Sequence, residues 1–277
     1  MKQSYRVCII VPRGYTHASA FLEVAFLLKN SLVSCGKSCD IKINELSTDN
    51  INIILGGHLL RADAVIGKYT YIPYQLEQIS ANERLLSDNV KTLLRHAHDI
   101  WDYSMENIVF LKSQGMRAKH LPLGYHPALE QVPSCNTRDI DILFYGSVGE
   151  RRKKILDSLT AKDTVSVKTL FGVYGKQRDE FVGRSKIILN VHHYNAKIFE
   201  AVRISYLLNN RCFVVSEDTP VNPYPQIEIP MVSYENLVDA CLYYLSDEQE
   251  REQIADACYR QFKKNYSMDE LLRNVIE

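Results

Sequence analysis

The stretch Asn190-Val191-His192-His193-Tyr194-Asn195-Ala196-Lys197-Ile198-Phe199-Glu200, continuing into Ala201-Val202-Arg203, carries the strongest chemical signal in the chain. It leaves an Ile- and Leu-rich strand pattern and runs through a polar loop into a helical one. Glu200 falls in the first turn or so of that helix, where its two oxygens can receive hydrogen bonds from a pair of adjacent hydroxyls. Lys197 and the nearby backbone N–H groups are suited to phosphate. His192 stands eight residues before Glu200, at the strand end. Plainer roles exist for each. An acidic residue near a helix start steadies the dipole, and His192 and His193 read equally as loop histidines. A zinc pair is disfavoured, because adjacent residues on a strand point to opposite faces.

A second constellation, Gly146-Ser147-Val148-Gly149-Glu150-Arg151-Arg152-Lys153-Lys154, follows the strand pattern Ile140–Tyr145. Its paired glycines permit a tight strand-to-helix turn and close approach by a ligand. The helix start offers unpaired N–H groups, and Arg151 and Arg152 can grip a diphosphate in bidentate fashion. The alternative is a plain loop with a solvated basic turn. Basic residues there oppose the helix dipole unless an anion or a carboxylate answers them.

These motifs need strands to present them. Tyr5–Val11 reads as a buried strand, His17–Ser34 as a helix stopped by Gly36, Ile51–Leu55 and Tyr69–Tyr74 as strands, and Ser87–His96 as a helix. Ile108–Leu111 fits a short strand or helix, and Ala118–Leu123 is extended. Pro127–Arg138 is polar, proline-bearing and aperiodic, the pattern of a connection between domains. Strand Ile140–Tyr145, helix Glu150–Leu159, strand Val165–Leu170, helix Arg178–Gly183, strand Ile187–Val191, helix Lys197–Leu208 and strand Cys212–Ser216 then alternate. The tail is helical from Tyr234, split near Ser246-Asp247, and Ser267 with Glu270 spells a capping box before a last helix free to cross back. The expected fold is α/β, with two Rossmann-like domains at residues 1–127 and 139–277, a linker at 128–138, parallel sheets and a cleft between the domains. Ligands in such sheets bind beyond the carboxyl ends of the strands.

Lys plus Arg equals Asp plus Glu at 33 each, so no global field points to nucleic acid. The seven cysteines are scattered, with no C-x-x-C pair, which fits reduced thiols and a cytoplasmic location. No apolar run approaches the roughly 18 residues of a spanning helix, and contact with a membrane surface stays open. A nicotinamide-dependent dehydrogenase is disfavoured, since neither strand-turn carries G-x-G-x-x-G or the expected acidic ribose partner.

The segment KIILNVHHYNAKIFEAVRISYLLNNRCFVVSE resembles the donor-binding region of B-type (GT-B) glycosyltransferases, most closely the compact bacterial enzymes with a CgeB-like C-terminal domain. Gly146 through Arg152 resembles the other donor-side loop. Leu121-Pro122-Leu123-Gly124-Tyr125-His126-Pro127 resembles the segment before the domain crossover, and Phe171-Gly172-Val173-Tyr174-Gly175 the base-proximal loop. In that family a residue, often glutamate, precedes a second glutamate by eight positions; here the pair is His192 and Glu200. The resemblance implies a nucleoside-diphosphate sugar as donor, with the ribose on Glu200. Gly146, Ser147, Arg151, Arg152, Tyr174 and Lys197 would complete the donor side. It further implies transfer of a hexose-type sugar, with retention, to a glycan, lipid-linked or protein hydroxyl in glycan or polysaccharide biosynthesis.

The N-terminal half would hold the acceptor. His17, after the first strand, is a candidate general base or acceptor ligand, or simply a polar residue opening a helix. Gly56-Gly57-His58 and Glu77 close other strands and are lesser candidates. His192 and His17 are the catalytic candidates. Asp139-Ile140-Asp141 spells the D-x-D of a metal site but lies at the wrong end of its strand. No obligatory metal or cofactor is therefore expected, with basic groups and helix N-termini meeting the departing diphosphate. The competing readings are a nucleotide-sugar epimerase or hydrolase and a non-catalytic binding relative.

Overall fold

Strands β1 (Ser4–Ile9), β2 (Ser38–Ile43), β3 (Ile51–Leu55), β4 (Tyr71–Gln75), β5 (Trp101–Asp102) and β6 (Lys119–His120) form one sheet in the order β2-β1-β3-β4-β5-β6. Every pairing between them is parallel. Helices α1 (Leu22–Ser34), α2 (Asp88–Arg95) and α3 (Met105–Ser113) provide the crossovers and cover that parallel require. The computed structural model describes residues 4–135 and 137–277. It divides into two compact units: residues up to Ala128 together with Ser267–Glu277, and Leu129–Tyr266. We call them unit 1 and unit 2.

β2 escaped the sequence reading. Its residues, SCDIKI, are polar and half-exposed, so no apolar run announces an edge strand. What holds it beside β1 includes Arg6, whose guanidinium grips Asp40 on β2 at 2.7 and 3.0 Å. The expected helix from His17 begins as a 3₁₀ turn, Thr16–Phe21, before α1 proper. Ile108–Leu111 lies inside α3.

Unit 2 holds β7 (Ile140–Tyr145), α4 (Glu150–Thr160), β8 (Val167–Leu170), α5 (Gly175–Gly183), β9 (Ser185–Asn190), α6 (Ala201–Asn209), β10 (Val214–Glu217) and β11 (Met231–Val232), then α7 (Leu237–Ser246) and α8 (Glu248–Asn265). Its sheet runs β11-β10-β9-β7-β8, again parallel throughout. Phe144, Ile187, Leu189 and Val215 from the strands pack with Ile155, Leu159 and Leu237 from the helices. This clamps the carboxyl ends of β7, β9 and β10 side by side.

Two expectations change. The helix expected from Lys197 starts at Ala201, because Lys197 takes a left-handed backbone (φ 52°) and its carbonyl is held by Thr219 Oγ1 at 2.8 Å. The capping box does not form: Ser267 gives no side-chain cap, and its backbone instead bridges to Tyr125 as α9 (Met268–Ile276) begins. The N–H of Met268 donates to the Tyr125 carbonyl at 2.9 Å, and Lys119 Nζ donates to the Val275 carbonyl at 2.9 Å, so α9 is anchored within unit 1.

The proline-bearing stretch after Ala128 is not a loose strap. Asn210 Oδ1 receives the N–H groups of Gln131 and Val132 at 2.7 and 2.8 Å, and Tyr259 donates to Glu130 at 2.6 Å. It passes so close to α5 that a Cβ on Gly183 would sit 2.5 Å from the Pro133 carbonyl oxygen. Gly183→Ala is therefore expected to destabilise unit 2 by about 1–3 kcal/mol. The urea midpoint measures this, and an unchanged midpoint would mean that the strap gives way freely.

Candidate functional site

Three neighbouring strands deliver the polar groups of unit 2. β7 leads into Gly146–Gly149 and α4; β9 ends at Asn190, followed by Val191 and His192; β10 ends at Glu217, followed by Asp218. The loop after His192 returns Lys197 and Glu200 to the same end, where Glu200 immediately precedes α6. Tyr174, after edge strand β8, opens α5 next door.

The site is built outward from Arg203. A guanidinium only donates, so its Nη1 contact to Asn190 Oδ1 at 2.7 Å fixes which way that amide points. The amide nitrogen then faces Glu200 Oε2 at 3.1 Å and Ser216 Oγ at 3.0 Å. Nη2 of Arg203 donates to the Tyr145 carbonyl at 2.7 Å, and Gly146 lies so close that a Cβ there would meet Nη2 at 2.8 Å. With φ at 131°, Gly146 is also in a conformation that side chains resist.

Glu200 is the centre. His192 Nδ1 lies 2.8 Å from its Oε2, off the line of a good hydrogen bond, and Arg152 Nη2 lies 3.4 Å from Oε1. Burial alone would push the Glu200 carboxyl up, but His192, Arg203 and Asn190 outweigh it and hold it below the ordinary range. Burial likewise pushes His192 down, and Glu200 with the Asp218 carbonyl more than reverses this. His192 itself is only 1% exposed.

The two arginines of α4 are answered from within the protein. Arg151 forms a two-pronged pair with Glu217 at 2.6 and 2.9 Å and stacks 4.4 Å over the Tyr234 ring. Arg152, nearly buried, donates to the carbonyls of Val191 at 2.8 Å and Ser147 at 3.0 Å. Burial, then the nearby Arg203, lowers its pKa to about 10. Lys197 reaches Asp218 at 2.8 Å and Glu217 at 3.4 Å. Four fixed cations thus meet Glu200, Glu217 and Asp218, and Glu150 in the first turn of α4 balances the remaining charge.

Beside this lattice, residues 149–152 and 193–195 line a pocket of about 340 Å³. Gly149 caps α4 without a side chain, so the backbone N–H groups of its first turn face the pocket's end of the helix. A larger pocket of about 410 Å³ lies at the amino-terminal end of the strands, against Arg138, Ser185 and Asn209. It touches none of the charged pairs described above, and the smaller one is the better candidate. Asp139 and Asp141 are engaged by Arg184 and Lys186. Among the described residues, no cluster of His, Cys, Asp and Glu suited to a metal ion is found.

Of the residues singled out in the sequence, Gly146, Ser147, Arg151, Arg152, His192, Lys197 and Glu200 come together here. His17 lies in unit 1, in the 3₁₀ turn after β1, with its ring edge-on to Tyr15 at 5.7 Å. Arg203, Glu217 and Asp218 were missed. Glu217 was visible as the carboxylate ending an apolar strand, and Arg203 as the residue one helical turn past Glu200.

A family model described as glycosyl transferase-like matches residues 128–277. The chain belongs to that family. Trehalose-6-phosphate synthase from Burkholderia multivorans superposes with a TM-score of 0.60 at 9% identity, covering 100% of this chain and 97% of that one. TarM of S. aureus, solved in complex with fondaparinux, alpha-GlcNAc-glycerol and UDP, gives 0.59 at 10% identity over 83% of this chain and 55% of that one. At such identities the likeness is one of fold, and the glycosyltransferase has the GT-B architecture of two parallel α/β sheets. An uncharacterised protein of Acanthamoeba polyphaga mimivirus is 25% identical over 236 residues, 80% of this chain and 74% of the relative. A second from the same virus is 28% identical over 137 residues, of which this chain spans only 18% of the relative's length. No helix among the described residues is long and apolar enough to cross a membrane.

The lattice makes a stability prediction. Glu217 is fully buried, and Glu217→Ala strands Arg151 and a backbone N–H, at a cost of about 3 kcal/mol. Asp139→Ala, which removes a surface partner of Arg184, should leave the denaturation midpoint nearly unchanged. Equal midpoints for both variants would contradict this ordering.

Proposed function

We propose that unit 2 of this glycosyltransferase binds a nucleoside-diphosphate sugar and that the protein transfers a hexose-type sugar from it to a hydroxyl acceptor. The observation that carries the reading is the adjacency of two dissimilar subsites. Glu200, a partly buried and ionised carboxylate, is suited to a ribose diol, and the pocket at the α4 N-terminus is suited to phosphate.

Within this reading, the amides of α4 and the loop Gly146-Ser147 take the diphosphate. Arg151, Arg152 and Lys197 act mainly through their charge, because their donor atoms are engaged. That charge stabilises the departing diphosphate in the role a divalent cation plays elsewhere. Tyr174 lies on the base side. The acceptor, a glycan, lipid-linked or protein hydroxyl, is assigned to unit 1, where His17 is the candidate to receive its proton. Retention at the anomeric carbon follows the family resemblance.

A thermal-shift screen against UDP, GDP, ADP, CMP and dTDP, with and without magnesium, tests the donor site. One diphosphate at about 100 times its Kd should stabilise the protein by roughly 2.7 kcal/mol, a rise of a few degrees. Magnesium should not be needed. No shift with any nucleotide would remove the donor reading.

Glu200→Gln tests the ribose partner more closely. It should weaken the diphosphate that binds about 10- to 100-fold by titration calorimetry, the scale of hydrogen bonds to a charged group. Unchanged affinity would take Glu200 out of the site.

A further inference from the structure

The ring of His192 has an unusual set of neighbours. Nε2 lies 2.9 Å from the Asp218 carbonyl oxygen, which can only accept. Nδ1 lies 2.8 Å from Glu200 Oε2, an oxygen already accepting from the Asn190 amide. A neutral imidazole carries one proton and so satisfies only one of these two contacts. Its other nitrogen would turn a lone pair toward an oxygen, in a place almost closed to water. Only the imidazolium places a proton at both, as a hydrogen bond at Nε2 and as a close charge contact at Nδ1.

The charges around the ring agree. Glu200 faces Nδ1 from the segment before α6, and Glu217, at the end of β10, accepts the His192 backbone N–H at 3.1 Å. From α4, Arg151 donates to the His192 carbonyl at 3.2 Å, and Arg152 stands on the far oxygen of Glu200. Lys197 is drawn to Asp218 and Glu217, and Arg203 is held by Asn190 and Tyr145. The cations near Glu200 keep it ionised, so the proton of the His192–Glu200 pair rests on the ring.

We propose that His192 is a positioning residue held as an imidazolium, and that its proton keeps the Glu200 carboxylate aimed for a ribose diol. Losing that proton sets the Nδ1 lone pair against Glu200 Oε2, and the carboxylate turns from its place. The inference rests on the donor reading above and adds to it a pH-controlled ribose anchor. Its direction is fixed by sign. A histidine raised above its ordinary 6.5 keeps its contribution below that value and loses it as pH rises through the raised one.

Calorimetric titration between pH 6.5 and 9 tests the coupling. The probes are the nucleoside diphosphate bound in the screen above and its 2′,3′-dideoxy counterpart, which lacks the diol but carries the same phosphates. Ribonucleotide affinity is expected to fall about tenfold or more across this range, against a nearly flat dideoxy control. In His192→Gln the two ligands should show the same pH dependence. Ribonucleotide binding that parallels the dideoxy control in the unaltered protein overturns the proposal while leaving the donor site intact.

A second measurement needs neither ligand nor variant stability. In protein labelled with ¹⁵N-histidine, the His192 ring should carry protons on both nitrogens at pH 7 and titrate above 6.5. A single-proton ring at pH 7 overturns the proposal whatever binds. A doubly protonated ring in a protein that binds no nucleotide at any pH overturns the donor reading, and the ribose anchor with it.

Discussion

The carboxyl end of the unit 2 sheet is organised by the need to keep Glu200 charged in a place largely closed to water. Taking a carboxylate out of water costs several kcal/mol unless donors and cations surround it. Glu200 meets that demand with a ring nitrogen, an amide and two guanidiniums, drawn from β9, α4 and α6. Each of these has a second partner that fixes it. Asn190 is oriented by Arg203, Arg203 by the Tyr145 carbonyl, and Arg152 by Val191 and Ser147. The chain therefore spends its polar side chains on holding one group in one state.

The strands make such economy possible. Parallel pairing places the ends of β7, β9 and β10 next to one another, and their apolar bodies leave those ends little freedom to shift. Glu217 then closes a second ring through Arg151 and Lys197 and joins the first through the His192 backbone. The cations stand beside the α4 N-terminus, which has only a glycine to cap it.

Much of this was legible in the sequence, for specific reasons. Strands such as VCIIV and ILFY are continuous apolar runs with glycines behind them, so the alternation of elements could be read directly. The pair His192 and Glu200 was named from the family resemblance, and the two side chains stand 2.8 Å apart. The answer to the basic α4 turn was foreseen as an anion or carboxylate, and the carboxylates are Glu217 and Glu200. Which residues supplied them was not legible, since Glu217 lies far along the chain and meets Arg151 only through sheet order. Polar edge strand β2 and the left-handed turn at Lys197 were hidden for a similar reason: each depends on a tertiary partner, Arg6 in one case and Thr219 in the other.

The return of α9 to unit 1 has a consequence for the order in which the molecule can form. Residues 267–277 lie against α1, β6 and Tyr125, yet they are made only after the whole of unit 2. Unit 2 is contiguous, so it can complete itself as soon as Tyr266 has emerged. Unit 1 is begun before unit 2 and completed after it, holding part of α1 uncovered through the whole synthesis of its neighbour. A nascent chain of this protein thus carries an open apolar face while unit 2 is being made.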